Sequence, residues 1–101
     1  HNSAEQMLIE LEVGVAYHSD VNQVTALIEN AIAKVDGVDS TKKPAVGVDN
    51  FGDSSINFGV RVWALTTRHY EVRYALNNAI FAALKNDSIE IPFPQREVKM
   101  R

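Results

Sequence analysis

The chain contains no cysteine, which excludes a disulfide scaffold, a thiolate zinc site and a cysteine nucleophile. It has no long hydrophobic run either. Its uninterrupted apolar stretches are a few residues long, against the ~20 that a helix needs to cross a bilayer. Basic charge is in deficit: ten Lys and Arg stand against thirteen Asp and Glu, for a net charge of −3 and an isoelectric point near 5.5. Nucleic-acid binding needs a basic surface that releases counterions, so this balance argues against it. No Gly-rich phosphate loop, no G-x-S-x-G elbow and no His pair at metal-ligand spacing occurs. Catalytic residues, a bound cofactor and a metal are therefore not expected.

What is present is the make-up of one soluble domain. Of 101 residues, 46% are hydrophobic and 23% charged, and a chain this long buries roughly two-thirds of the surface that its unfolded form exposes. Charge is uneven along it. Residues 1–50 hold eight acids against three bases, and residues 51–101 hold five acids against seven bases. Such asymmetry favours head-to-tail association of copies, although a solvated surface also accounts for it. His1, Asn2 and Ser3 read as an expression remnant, and the sequence is expected to start inside a longer protein.

Periodicity marks the elements. Met7, Ile9, Leu11, Val13, Val15 and Tyr17 alternate with polar residues or glycine, as in a strand with one buried face. At about eleven residues it is twice the usual length, so its first half is expected to belong to another sheet or a neighbouring domain. Ser19 and Asp20 supply N-cap oxygens, with Gln23 in capping-box position. Val21, Val24, Leu27, Ile28, Ala31, Ile32 and Val35 then repeat at helical spacing up to Gly37. Ala45 to Phe51 and Ser55 to Leu65 read as a hairpin about Gly52 and Asp53. Thr66 or Thr67 is expected to cap a second helix from about Arg68 to Asn86, and Ile89 to Ile91 to form a last short strand. After Pro92 and Pro94, Arg96 to Met100 alternate as a detached tail strand. The order predicts an α+β fold, a ferredoxin-like βαββαβ sandwich with a detached C-terminal strand and both helices on one face of the sheet.

The second helix carries two apolar faces. At ~100° per residue, Val72, Leu76, Ala79, Ile80 and Ala83 cluster on one side, while Tyr70, Tyr74 and Phe81 lie on another. Three aromatics where water is expected point to a surface for another chain or domain; the alternative is that the rings fold over and pad a small domain. The tail, with Val98 and Met100, either frays or pairs with strands of other copies, because a lone strand leaves its backbone groups unpaired. His18, Ser19 and Asp20 stand together, but adjacent residues cannot converge as a catalytic triad does. Asn57 and Arg61 share a strand face about 13 Å apart, too far to clamp one small anion.

The segments VGVAYHSDVNQV (Val13 to Val24), DSSINFGVRVW (Asp53 to Trp63) and IPFPQREVKM (Ile91 to Met100) resemble the C-terminal cytoplasmic region of the small-conductance mechanosensitive channel family. The likeness runs in order over nearly the whole chain after Leu11, and departs from the family in the loop from Asp36 to Pro44 and at the start of the second helix. It implies the α/β part of a hollow cytoplasmic cage beneath an inner (cell) membrane, in a ring of seven subunits. The missing upstream part would hold the transmembrane region and a small β domain. On that basis residues 4–12 are expected to be the end of the upstream β domain or the start of the first strand, 13–91 the α/β domain, and 92–101 a proline linker and barrel strand. The candidate contacts to other subunits or domains are Tyr70, Tyr74, Phe81, Val98 and Met100. The implied activity is release of ions and small osmolytes on hypo-osmotic shock. A reading from another class is a free-standing regulatory domain binding a small ligand at a dimer interface. Such modules use a Gly-rich loop after the first strand, where this chain has His18-Ser19-Asp20.

Overall fold

The structure, a computed structural model, describes residues 5–92. Its elements run β1 (Gln6–Val15), α1 (Val21–Ala33), β2 (Ala45–Phe51), β3 (Ile56–Leu65), a 3-10 turn (Thr66–Arg68) and α2 (His69–Asn86). The strands form one antiparallel sheet in the order β1-β3-β2, and with two helices this is the α+β sandwich that the element order predicts. β3 is central because its alternation is the cleanest: Ile56, Phe58, Val60, Val62 and Ala64 are all buried, and the residues between them are not.

Both helices cover that apolar face. Ile9, Leu11 and Val15 of β1 join the β3 residues, Val24, Ile28, Ala31 and Ile32 of α1, and Val72, Leu76, Ile80 and Leu84 of α2 in one core. Among the described residues no polar or charged residue is buried, so the core rests on apolar burial alone. The opposite face carries Glu10, Glu12 and Arg61, all exposed.

β1 pairs with β3 over its whole length, from Gln6 opposite Leu65 to Val15 opposite Ile56. Residues 6–12, expected to be either the end of an upstream domain or the start of this strand, pair with β3, which is long enough to match them. Asp20 caps α1 as expected, its carboxylate accepting from the N–H groups of Asn22 (2.9 Å) and Gln23 (3.4 Å). Gln23 does not close a capping box, because its side-chain amide donates to Asp87 instead.

Three further expectations are corrected. α1 ends at Ala33, four residues short of Gly37; Gly37, with φ of +103°, turns the loop that brings Val38 against Ala64 at the end of β3. Neither Thr66 nor Thr67 caps α2. Both lie in the 3-10 turn, and Arg68 precedes α2 without a side-chain cap. Ile89 to Ile91 is not a strand. Ile89 packs against the core, and one backbone bond ties the segment to the chain just past β1, from the Ala16 N–H to the Glu90 carbonyl at 3.0 Å.

The reason lies in how α2 stops. Ser88 takes the left-handed conformation (φ 59°), its N–H donates to the Lys85 carbonyl and the Ile89 N–H to the Leu84 carbonyl. That pair of bonds is a Schellman closure, with Ser where glycine is favoured. The Ile89 donor is thereby spent on the helix, and Pro92 has none. Ser88→Gly is expected to stabilise the chain by about 0.5–1 kcal/mol by relieving the side-chain penalty of that conformation, measured as a rise in the urea midpoint without a change in slope.

Candidate interaction surface

α2 reaches the surface on the side that the core does not use. With Val72, Leu76, Ile80 and Leu84 turned inward, one residue per turn, Tyr70, Tyr74 and Phe81 are left 62%, 60% and 55% exposed. Leu84 belongs to the inward stripe but is absent from the sequence reading; the four-residue spacing from Ile80 was the signal for it. Tyr70 and Tyr74, one turn apart, have ring centroids 6.2 Å apart, and the His69 ring lies 3.9 Å from that of Tyr70. Lys85 Nζ sits 5.8 Å from the Phe81 ring, at cation–π range. The rings thus form a stripe along a helix face that the described residues leave exposed, flanked by the basic Arg73 and Lys85.

The start of this helix is held by charge. Arg68 pairs with Glu71 at 2.6 Å and with Asp36 at 3.4 Å. Its hydrogen bond to Glu71 holds that carboxyl below its ordinary range. Asp39, in the loop before β2, accepts from the Thr41 hydroxyl (2.6 Å), the Gln6 amide (2.7 Å) and the Thr41 N–H (3.0 Å). Those donors favour the ionised form and bring its pKa down to about 2. Lys42 bonds Gln6 at 2.6 Å and sits 4.6 Å over the Trp63 ring, so the loop is fastened to the outer face of the sheet.

The other sequence-flagged groups do not converge. His18 Nε2 lies 3.0 Å from a Glu90 carboxylate oxygen, Asp20 caps α1, and Ser19 Oγ is buried without a partner. Arg61 pairs with Glu10 at 2.9 Å, while the Asn57 amide donates to Asn50 at 2.8 Å. Among the described residues, no three or more His, Asp or Glu gather as a metal site. Val98 and Met100 lie outside the described residues. Phe51, 72% exposed at the end of edge strand β2, was not singled out from the sequence. A register shift between Val48 and Asn50 breaks the alternation that would have flagged it.

Among the described residues, then, a small α+β sandwich leaves three aromatic rings exposed along α2. The family model described as "Mechanosensitive ion channel MscS, C-terminal" matches residues 9–91, and the chain belongs to that family. The family is one of mechanosensitive channels, not a class of enzymes. An MscS family protein of Archaeoglobus fulgidus is 40% identical over 89 residues, 88% of this chain and 31% of the relative. The small-conductance mechanosensitive channel of Helicobacter pylori is 35% identical over 94 residues, 92% of this chain and 34% of the relative. The crystal structure of Helicobacter pylori MscS in the closed state superposes with a TM-score of 0.84 at 34% identity, covering 95% of this chain and 38% of that one. The chain spans about a third of the length of the curated relatives it matches. No helix among the described residues is long and apolar enough to cross a membrane.

Proposed function

We propose that this chain is the cytoplasmic cage domain of a stretch-gated channel in the inner (cell) membrane, serving subunit assembly and solute filtering while the channel releases ions and small osmolytes on hypo-osmotic shock. The channel is a homo-oligomer, a ring of seven in this reading, and its membrane-spanning part lies in the two-thirds of the relatives' length that this chain does not cover. The observation that carries the proposal is the row of Tyr70, Tyr74 and Phe81 standing in solvent on α2, because exposed aromatic rows are costly unless a partner covers them.

The test is a double substitution. Tyr74→Ser with Phe81→Ser is expected to shift the isolated chain's unfolding free energy by no more than about 1 kcal/mol, as surface changes do. In the oligomer it weakens subunit association. Urea unfolding and native mass measurements read the two effects separately. A loss of several kcal/mol in the isolated chain would place the rings in the fold, not the interface.

Val98 and Met100 complete the proposal as residues of a tail strand that pairs only between chains. Pro92 and Pro94 stiffen the segment before it, and several short strands closing into a barrel leave no free edge. Hydrogen exchange at the Val98 and Met100 amides is expected to be fast in a monomer and slow in the oligomer. Strong protection in a proven monomer would remove the barrel from the proposal.

A further inference from the structure

We infer that the aromatic face of α2 on one copy of this chain docks onto the outer face of the sheet on the next copy, in a head-to-tail contact. This rests on reading Tyr70, Tyr74 and Phe81 as an interface and supplies the surface that receives them.

The receiving face is built by the register. β1, β3 and β2 place Glu12, Gly59 and Gly47 side by side, on the side of the sheet away from both helices. Glycine inside a strand weakens it relative to alanine and often marks a bulge or a close approach by another chain or ligand. At Gly59 an added Cβ would crowd the bulged Asp49 at 3.3 Å, which accounts for that glycine; at Gly47 it would meet no atom of the described residues within 4 Å, so no packing among them asks for glycine there. The missing side chains leave a shallow hollow of about 360 Å³. A second hollow of about 300 Å³, rimmed by Glu10 and Glu12, adjoins it through Asp49, Gly59 and Arg61.

Charge chooses the occupant. Glu10 is paired with Arg61, whereas Glu12 and Asp49 share only the Asn50 amide, at 3.2 and 2.9 Å, and have no cationic partner among the described residues. The α2 face offers the opposite: three rings to fill a hollow, with Arg73 and Lys85 beside them and neither ion-paired among the described residues. Helix face against helix face would oppose two basic groups, and sheet against sheet would oppose the two free carboxylates. Each arrangement is repulsive. The two faces lie on opposite sides of the same domain, so only a second copy brings them together. A contact between different faces repeats from copy to copy and closes into a ring when the rotation allows.

Because the chain has no cysteine, disulfide trapping reads this contact cleanly. Asn77 is exposed between Tyr74 and Phe81 on the helix face, so Asn77→Cys and Gly47→Cys place one thiol on each of the two faces while keeping the aromatic rings. Oxidising an equal mixture of the two variants of the 101-residue chain is expected to give about tenfold more crosslinked dimer than either variant alone, since one arrangement is attractive and the others repulsive. Adding Glu12→Lys with Asp49→Lys to the Gly47→Cys chain abolishes the excess. Adding Arg73→Glu with Lys85→Glu to the Asn77→Cys chain restores it. If Asn77→Cys alone crosslinks as well as the mixture, the pairing is overturned while the aromatic face remains an interface. If no sample crosslinks, the pairing is overturned, and an unchanged assembly of the Tyr74→Ser, Phe81→Ser oligomer then overturns the interface reading as well.

Discussion

Phe58→Ala is expected to lower the unfolding free energy of this chain by about 3–5 kcal/mol, the range for deleting a buried aromatic ring from a packed core. Phe58 is fully buried near the start of the central strand, where it faces Val13 of β1 and Val48 of β2. No other strand can shift to fill the gap without breaking its own register, so most of the cavity would persist. A domain of this length has only about 5–15 kcal/mol in hand, and the loss is a large share of it. The check is a urea titration: a lower midpoint at unchanged slope supports the account. A change below about 1 kcal/mol, the scale of a surface site, would show that the core is not centred on β3.

Gly37→Ala is expected to cost about 2–4 kcal/mol, from backbone strain and overpacking together. Its φ of +103° lies where side chains are strained, and an added Cβ would stand 2.7 Å from Val72 Cγ2 and 3.2 Å from the Arg68 guanidinium. Val72 is a fully buried residue of the core, so it cannot move aside without disturbing α2. Gly47→Ala serves as the comparison, since an added Cβ there meets no atom of the described residues within 4 Å. It is expected to be neutral or slightly stabilising in the isolated chain, through lower entropy of the unfolded state. Equal losses at the two sites in thermal or urea unfolding would contradict this division.

These two glycines show how far the sequence could be read. β1, β3 and the two helices were legible because each buries one face, and alternation or helical spacing survives wherever that is so: β3 runs from Ile56 to Leu65 against a reading of Ser55 to Leu65; β2, where only Val46 is half-buried, was legible from its alternating valines and the Gly52–Asp53 turn. Element ends were less legible. Gly37 stood where a helix stop is expected, yet α1 ends at Ala33, and the glycine is needed instead for a turn pressed against Val72. Ile89 to Ile91 had the apolar composition of a strand, but the left-handed Ser88 spends the Ile89 donor on closing α2. Of the candidate surface, Tyr70, Tyr74 and Phe81 could be placed from helical spacing alone. The Gly47 and Gly59 hollow could not, because it exists only once β2 and β3 are in register. Phe51 was hidden by the bulge before it.

The central claim, that this domain works within a stretch-gated channel and holds its subunits together, is tested most directly by recording currents under controlled suction from membrane patches holding a polypeptide of the relatives' full length that carries this chain. Stretch-activated openings are expected, with fewer active channels per patch when Tyr74→Ser and Phe81→Ser are introduced. Patches that stay silent up to rupture although the protein is in the membrane would contradict the channel assignment, and openings of unchanged number in the double variant would contradict the assembly role.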